Sequence, residues 1–333
     1  MKILNEEYRD VSHSYASFDF YFKNSKIGIF DIETTGLSPS NSQIILSGFV
    51  LPQDDDVFLC KQIFSQNLEE EEELLKETIK VLENLDVIIT YNGARFDVPF
   101  FLKRLEQYNL HCNHMPYNLD LYRIVKNYSE IRKFTPNLTQ KTLESYLGLW
   151  TTRDDLIDGK ISVDMYFQYL HNQDEDLERQ ILLHNSDDVK QLYRILACIP
   201  QTDFHRSMCK YGFPFEQLLI ENIKLQKKKL SFTGTIKGKP IYYSCYNDDA
   251  RYNAIFDGNK FQIEIATLTH ENLIFVDLDA FGPSIGSFEN CEGLSDHYLV
   301  LSVNKEPISM AITMLIQNLL KEILSNQIID TLI

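Results

Sequence analysis

The chain has 333 residues, of which 44% are hydrophobic and 24% are charged, and its formal net charge is -16. This length exceeds one ordinary hydrophobic core, so two domains are expected, and the hydrophobic content excludes a disordered polymer. The negative charge excludes a protein that coats nucleic acid through its overall field, because that mode needs a basic surface, although a local basic groove remains compatible.

The sequence predicts a cytoplasmic protein that has no membrane segment. The first ten residues lack the apolar stretch of a signal peptide, and no run reaches the roughly 18 apolar residues that span a bilayer. The six cysteines are widely scattered, without a C-x-x-C pair or a histidine at zinc-ligand spacing, so we expect reduced thiols.

Strand and helix patterns alternate through the first 200 residues, as is typical of an α/β domain. Short apolar runs predict strands, and amphipathic spacing predicts helices. The acidic run at 69–73 is interpreted as a solvated helix start, because carboxylates there favour the positive end of the helix dipole. The expected strands are 26–31, 44–51, 57–64, 86–91 and 119–121, and the expected helices are 69–82, 98–108, 138–147, 163–170 and 177–196.

The last third of the sequence has a different pattern, with short strands separated by glycine-containing turns. Two prolines and little periodicity before this region indicate a linker. The expected strands are 231–236, 240–245, 252–256, 260–266 and 273–278, followed by an amphipathic helix at 308–328. The expected domains are an N-terminal extension at 1–25, an α/β domain at 26–199, a linker at 200–215 and a smaller β-rich (α+β) domain of unknown function at 216–333.

Two acidic residues stand two positions apart at the end of the first predicted strand. Because side chains alternate along a strand, Asp31 and Glu33 share one face and Ile32 points to the other. Two neighbouring carboxylates repel each other unless a cation lies between them, and hard Mg²⁺ or Mn²⁺ suits such oxygen ligands. The pair is compatible with a metal site, although by itself this pattern more often marks an ordinary loop boundary.

Three separated segments together resemble the motifs of the DEDD superfamily of 3′–5′ exonucleases, which have an RNase H-like fold. Residues 31–37 read D-I-E-T-T-G-L and resemble the first motif, and residues 92–97 read N-G-A-R-F-D and resemble the second. Residues 184–189 read H-N-S-D-D-V, which resembles the third motif and a bacterial branch of RNase H-like predicted exonucleases. The resemblance extends from Ile27 to Leu196, including R-D-D-L-I-D-G at 153–159, and does not cover the C-terminal domain.

This resemblance implies a two-metal active site on an α/β fold, an RNase H-like mixed sheet flanked by helices. Two Mg²⁺ or Mn²⁺ ions would be held by four acidic residues, which are Asp31, Glu33, Asp97 and Asp188. One ion would activate a water molecule, and the other would stabilise the departing 3′ oxygen. His184 would orient or deprotonate that water, since an unperturbed imidazole pKa of about 6.5 suits a general base.

The histidine departs from the family pattern, because His184 occupies the spacing of the subgroup that has a tyrosine. His184 and Asp188 are four residues apart in a predicted helix, so their side chains share one helix face. Asp187 is an alternative metal ligand, although the spacing favours Asp188.

The resemblance also implies a set of residues that contact the end of the substrate. Leu37 would wedge against the terminal base. Ordinary structural roles remain open here: Asp97 as a helix cap, Phe96 as a core residue and Asn92 as part of an Asn-Gly turn. The full expected set is Thr34, Thr35, Gly36, Leu37, Asn92 and Phe96.

These observations predict a metal-dependent 3′–5′ exonuclease acting on single-stranded DNA or RNA or on a 3′ overhang, with the choice of polymer left open. The alternatives are a non-catalytic RNase H-like module that binds nucleic acid or protein, and a structure-specific endonuclease with the same metal site. Two basic clusters are candidate phosphate contacts. One lies at 224–229 in the second domain, and the other comprises Arg123, Lys126, Arg132 and Lys133.

Overall fold

The structure is a computed structural model in which two compact units, Met1–Thr202 and Asp203–Ile333, are distinguished. Residues 155–158 of the R-D-D-L-I-D-G segment lie outside the described residues, and so do residues 326–328 at the end of the predicted C-terminal helix. The described residues are 1–54, 56–149, 153–154, 159–247, 252–281, 288–289 and 291–325.

The first unit is a mixed sheet with helices on both faces. Its strands are β1 (Lys2–Arg9), β2 (Ile27–Thr34), β3 (Ile44–Asp54), β4 (Val57–Phe64), β5 (Val87–Thr90) and β6 (Tyr117–Asp120). Its α-helices are α1 (Ala16–Phe22), α2 (Glu71–Leu82), α3 (Asp97–Gln107), α4 (Leu121–Tyr128), α5 (Gln140–Tyr146), α6 (Gly159–Asn172) and α7 (Glu175–Ile195). Short 3₁₀ helices cover Leu68–Glu70, Ile131–Lys133 and Leu196–Gln201.

Strand direction within this sheet decides where the chain segments meet. The described strands are ordered β1-β4-β3-β2-β5-β6. Strand β5 runs parallel to β2 and to β6, whereas β3 is antiparallel to β2 and to β4, and β1 is antiparallel to β4. The C-terminal ends of β2, β5 and β6 therefore lie at the same edge, so the residues that follow these strands are brought together.

Apolar side chains pack on both faces of the sheet. Phe30 and Ile32 of β2 belong to one buried cluster that includes residues of α2 and α3. Phe64 of β4 belongs to another buried cluster, which includes Tyr166 of α6 and Ile181 of α7. The predicted α/β fold, with a mixed sheet flanked by helices and a β-rich region after it, is confirmed.

Residues 1–25, expected as an extension, are part of the first unit. Strand β1 pairs with β4 along its whole length, from Lys2 opposite Phe64 to Arg9 opposite Val57. Most β1 side chains are exposed, because this strand lies at the edge of the sheet, and its sequence consequently lacks a clear apolar alternation.

The second unit contains two antiparallel sheets and two α-helices within its described residues. The strands are β7 (Phe213–Phe215), β8 (Leu218–Gln226), β9 (Lys229–Ile236), β10 (Ile241–Asn247), β11 (Tyr252–Gly258), β12 (Lys260–Ala266), β13 (Leu268–His270), β14 (Leu273–Asp277), β15 (Leu294–Ser295), β16 (Tyr298–Val303) and β17 (Glu306–Pro307). The helices are α8 (Phe204–Tyr211) and α9 (Ser309–Ile323), with a 3₁₀ helix at Leu278–Phe281.

Residues 200–215 differ from the expected linker. A 3₁₀ helix contains Pro200, and α8 follows with Asp203 as its N-cap, whose side chain accepts a hydrogen bond from the Arg206 amide. Strand β7 then contains Pro214 and pairs with β8. Pro200 lies inside the 3₁₀ helix, and Pro214 lies in an edge strand, where proline is tolerated, so both prolines occur within regular structure.

Helix α4 and strand β8 are among the elements that the sequence interpretation missed, because charged residues interrupt their apolar patterns. Helix α4 begins immediately after β6, where the Asp120 side chain accepts a hydrogen bond from the Arg123 amide. Strand β8 ends with the start of the basic run, Lys224–Gln226, where exposed residues alternate with a partly buried one.

The prediction that the chain has no membrane segment can be compared with the length and hydropathy of the helices. Among the described residues, no helix combines the length and the apolar character that crossing a bilayer requires.

Candidate functional site

Strand β2 directs two carboxylates toward helix α7. Phe30 and Ile32 are buried in the cluster on the other face, next to α2 and α3, so Asp31 and Glu33 point away from it. The Asn185 amide of α7 donates a hydrogen bond to Asp31 Oδ2 over 3.1 Å. The alternation of β2 therefore places both acids between the sheet and one helix.

The first residue of α3 brings a third carboxylate to β2. Asp97 is 4% exposed, and its Oδ1 accepts a hydrogen bond from the Ile32 amide at 3.2 Å. The N-cap position of α3 is occupied by Phe96, without a side-chain capping bond. The Asp97 carboxylate therefore bonds to the strand between Asp31 and Glu33.

Helix α7 supplies an imidazole and a fourth carboxylate. His184 Nε2 lies 3.6 Å from Glu33 Oε1 and 3.6 Å from Asp188 Oδ2. One donor atom from each of these three residues lies within 4.8 Å of the other two, a spacing that could hold a metal ion. The helical spacing of four residues thus places His184 and Asp188 on one face, opposite the strand that carries Glu33.

Asp31 is repelled electrostatically by the other three acids of the candidate site. Burial raises the pKa of Asp31 well above its usual range, and the charges of Asp97, Glu33 and Asp188 raise it further. Burial also raises the pKa of Asp97, to about 7. Four carboxylates in one partly buried cluster are unfavourable without compensating positive charge, and a divalent cation would relieve this repulsion.

Asn185 was missed in the sequence, although it lies beside His184, and it fixes the orientation of Asp31. Its Nδ2 donates to Asp31, while its Oδ1 accepts a hydrogen bond from Gln62 Nε2 at 3.0 Å. Gly48 of β3 provides the space, because a Cβ atom there would lie 2.1 Å from Asn185 Oδ1. Strand β3 therefore needs glycine at this position for the amide to reach Asp31.

Substitution of Gly48 by Ala is expected to displace the Asn185 side chain and to lower the free energy of unfolding by about 1–3 kcal/mol. Urea denaturation of the variant would measure this loss. In an Asn185→Ala background the same change at Gly48 should cost much less, since the clashing atoms are gone. Equal costs in both backgrounds would contradict the proposed contact.

Arg153 and Asp154 contact two consecutive acids of α7, Asp188 and Asp187. The Arg153 guanidinium lies 2.6 Å from Asp188 Oδ1 and 2.7 Å from Glu144 Oε1, and its Nε donates to Glu144 Oε2 at 2.9 Å. The Asp154 amide donates to Asp187 Oδ2 at 2.7 Å. Asp187 is held by this backbone bond, and it is Asp188 that approaches His184.

Asp120, another residue that the sequence interpretation missed, organises the loop before α3. Its carboxylate, which is 4% exposed, accepts hydrogen bonds from the amides of Asn92 at 3.0 Å and Ala94 at 3.1 Å. Asn92 has a positive φ of 65°, a left-handed conformation that asparagine tolerates better than most residues. In the sequence, the only indication of this role of Asp120 was an acidic residue at the end of a short strand.

The remaining residues predicted to contact substrate lie at the end of β2, in the loop that follows it, and at the N-cap of α3. The Thr34 hydroxyl donates to the Gly36 carbonyl at 2.8 Å, and Thr35 Oγ1 accepts from the Gln43 amide at 2.9 Å. Leu37 is 86% exposed. Phe96, in contrast, packs on the core beside Phe100, with ring centroids 5.4 Å apart. Leu37 is therefore accessible to a substrate. The contacts of Phe96 match the alternative in which this side chain is a core residue.

Several DNA polymerases share sequence similarity with part of this chain. The DNA polymerase of Methanocaldococcus jannaschii is 33% identical over 91 residues, which are 25% of this chain and 6% of that protein. The DNA polymerase of Pyrococcus glycovorans is 33% identical over 90 residues, 25% of this chain and 12% of that protein. The chain therefore spans only a small fraction of the length of these relatives.

A solved structure and a family model also match. The family B DNA polymerase from the hyperthermophilic archaeon Pyrobaculum calidifontis is similar over 53% of this chain and 25% of that chain, with 17% identity and a TM-score of 0.44. The RNase_H_2 model, described as RNase_H superfamily, matches residues 29–199, which include all five residues of the candidate site. The chain belongs to the RNase H superfamily.

Proposed function

We propose that this protein is a metal-dependent 3′–5′ exonuclease that hydrolyses phosphodiester bonds of single-stranded DNA or RNA by a two-metal-ion mechanism. The observation that carries the proposal is the convergence of Asp31, Glu33, Asp97 and Asp188 from three separated segments at one edge of the sheet. Similarity to proteins named DNA polymerases supports a nucleic acid as the substrate.

The chemistry of the donor set suits the proposed cofactor. Carboxylate oxygens are favoured ligands of both Mg²⁺ and Mn²⁺. Burial raises the pKa of Asp31, and the negative charges of the neighbouring carboxylates, which such ions would neutralise, raise it further. Two bound ions would supply an activated water and stabilise the leaving 3′ oxygen. Asp31, Glu33, Asp97 and Asp188 are the residues that would hold them.

The protein groups around these acids have separate tasks in the proposed reaction. His184 lies beside Glu33 and Asp188, where it would orient the attacking water or accept its proton. Asn185 keeps Asp31 in place through its amide. Exposed Leu37, just beyond the end of β2, would contact the terminal base of the substrate.

The test is an assay of the wild-type protein on 5′-labelled single-stranded DNA and RNA, with Mg²⁺, Mn²⁺ or a chelator, and with products resolved by length. We expect a ladder that shortens from the 3′ end in either metal and no products in the chelator. A matched substrate with a blocked 3′ terminus should resist hydrolysis. Cleavage of the blocked substrate would indicate an endonuclease, and an absence of cleavage with every metal and polymer would indicate a non-catalytic binding module.

A further inference from the structure

The segment at 121–139, here called the bridging segment, is attached at both ends to the candidate site. At its start, the Asp120 carboxylate holds the amides of Asn92 and Ala94, in the loop that leads to Asp97. At its end, the Tyr91 hydroxyl donates to the Leu138 carbonyl at 2.7 Å. The next residue but one, Gln140, donates through its side chain to the Asp188 carbonyl at 2.9 Å. The bridging segment therefore connects the segments that supply the third and fourth acids.

This segment is basic although the whole chain is acidic. It contains four cationic residues and a single acidic residue, Glu130, in a chain of net charge -16. Arg132 and Lys133 are exposed, with Lys133 paired to Glu130 at the surface. Lys126 lies over the Tyr122 ring, 5.4 Å from its centroid, and Tyr122 in turn contacts Tyr91. The bridging segment thus carries net positive charge in an acidic chain, and its ends are attached to the segments that hold the proposed acids.

An aromatic side chain stands next to these cations. Phe134 is 70% exposed, directly after the 3₁₀ helix that carries Arg132 and Lys133. Isolated exposed apolar residues are common on protein surfaces, so exposure alone assigns no role. The combination of cations that track a phosphate backbone with an aromatic ring that stacks on a base is the chemistry with which proteins bind single-stranded nucleic acid.

We propose that the bridging segment binds a single-stranded polynucleotide, with Arg132 and Lys133 at the phosphates and Phe134 stacked on a base. This inference rests on the proposed function for the direction of the strand, whose 3′ end would enter at the carboxylates. Binding itself requires no hydrolysis. The other basic run, Lys227–Lys229, belongs to the second unit, where Lys229 pairs with Glu264 at 2.7 Å.

The test measures binding of a fluorescein-labelled oligothymidylate of about 15 nucleotides by fluorescence polarisation in a chelator, so that metal-dependent hydrolysis does not contribute. Phe134→Ala should weaken binding about tenfold, and Phe134→Trp should restore it, because stacking survives in the second variant. The matched control is Phe167→Ala, which removes a ring that is 48% exposed on α6. Circular dichroism would establish that each variant is folded.

The contribution of Arg132 and Lys133 to binding can be measured separately, through the dependence of affinity on salt concentration. Replacing both Arg132 and Lys133 by Gln should reduce the slope of log affinity against log salt by about 1.4, since each phosphate contact to a single strand contributes about 0.7. The matched control replaces Lys76 and Lys80, which lie on α2, by Gln. A duplex competitor should bind more weakly than the single strand.

The outcomes distinguish this proposal from the proposed catalytic activity. Wild-type affinity in both Phe134→Ala and the double glutamine variant would overturn the bridging segment as the binding surface. A loss confined to alanine variants of Lys227–Lys229 would overturn it as well and would place binding on the second unit. Reduced affinity in the bridging-segment variants, together with no hydrolysis in any metal, would support the inference and refute the exonuclease.

Discussion

Substitution of Asp31 by Asn is expected to lower the rate of 3′ hydrolysis by about 10³-fold or more and to stabilise the metal-free protein. The carboxylate is a proposed metal ligand, and the neutral amide is a much poorer one. The asparagine retains an oxygen that accepts the hydrogen bond from Asn185. At the same time it removes one charge from a cluster in which burial and three neighbouring carboxylates already raise the pKa of Asp31.

The stability gain has a defined dependence on pH. A carboxyl group whose pKa is higher in the folded protein than in the unfolded chain destabilises the fold once it ionises. For Asp97, whose folded pKa is about 7, the penalty grows as the pH rises from about 4 to 7. The Asp31→Asn gain should therefore be of the order of 1–2 kcal/mol at pH 8 and should shrink at pH 5, because the raised pKa values of Asp31 and Asp97 reduce the ionisation of these two carboxyls as the pH falls.

Urea unfolding of wild type and variant in a chelator, at pH 5 and pH 8, would measure this difference. Wild-type protein should also gain stability when Mn²⁺ replaces the chelator at pH 8, and the variant should gain less. Asp176→Asn is the matched control, because Asp176 lies on α7 in an exposed ion pair with Arg179. Loss of activity with an equal loss of metal-free stability at pH 8 would contradict the repulsion argument.

The parts of the site that could be predicted from sequence are those set by short-range periodicity. Alternation along β2 fixed the common direction of Asp31 and Glu33, and helical spacing fixed the common face of His184 and Asp188. The two neighbouring acids of α7 differ in their contacts. Asp187 accepts a backbone hydrogen bond from Asp154, and this contact could be known only from the fold.

Other contacts join residues that are distant in sequence, and no local pattern reports them. Gly48 is needed only because Asn185 lies against it, 137 positions later along the chain. Edge strand β1 has so few buried side chains that its sequence resembles a polar extension. Asp120 acts through its carboxylate on amides of another loop, and any acid at a strand end looks the same in sequence.

Arg153 is expected to have the second large effect, because it joins a buried acid to a proposed metal ligand. Glu144 and Arg153 have side-chain exposures of only 1% and 7%, and their charges offset each other. The guanidinium also bonds to Asp188 Oδ1, while Asp188 Oδ2 points toward His184. We therefore expect Arg153 to act as a positioning residue that leaves one oxygen of Asp188 available to a cation.

Arg153→Gln should lower the free energy of unfolding by about 3–5 kcal/mol, because it leaves Glu144 as a buried charge without its main partner. The double variant Glu144→Gln/Arg153→Gln removes both charges and should recover much of that stability. Its Mn²⁺ affinity should nevertheless stay about tenfold or more below wild type, since Asp188 is no longer oriented. Urea unfolding and calorimetric titration with Mn²⁺ measure the two quantities separately. If the double variant regained wild-type Mn²⁺ affinity, Arg153 would serve only to neutralise Glu144, and the positioning role would be wrong.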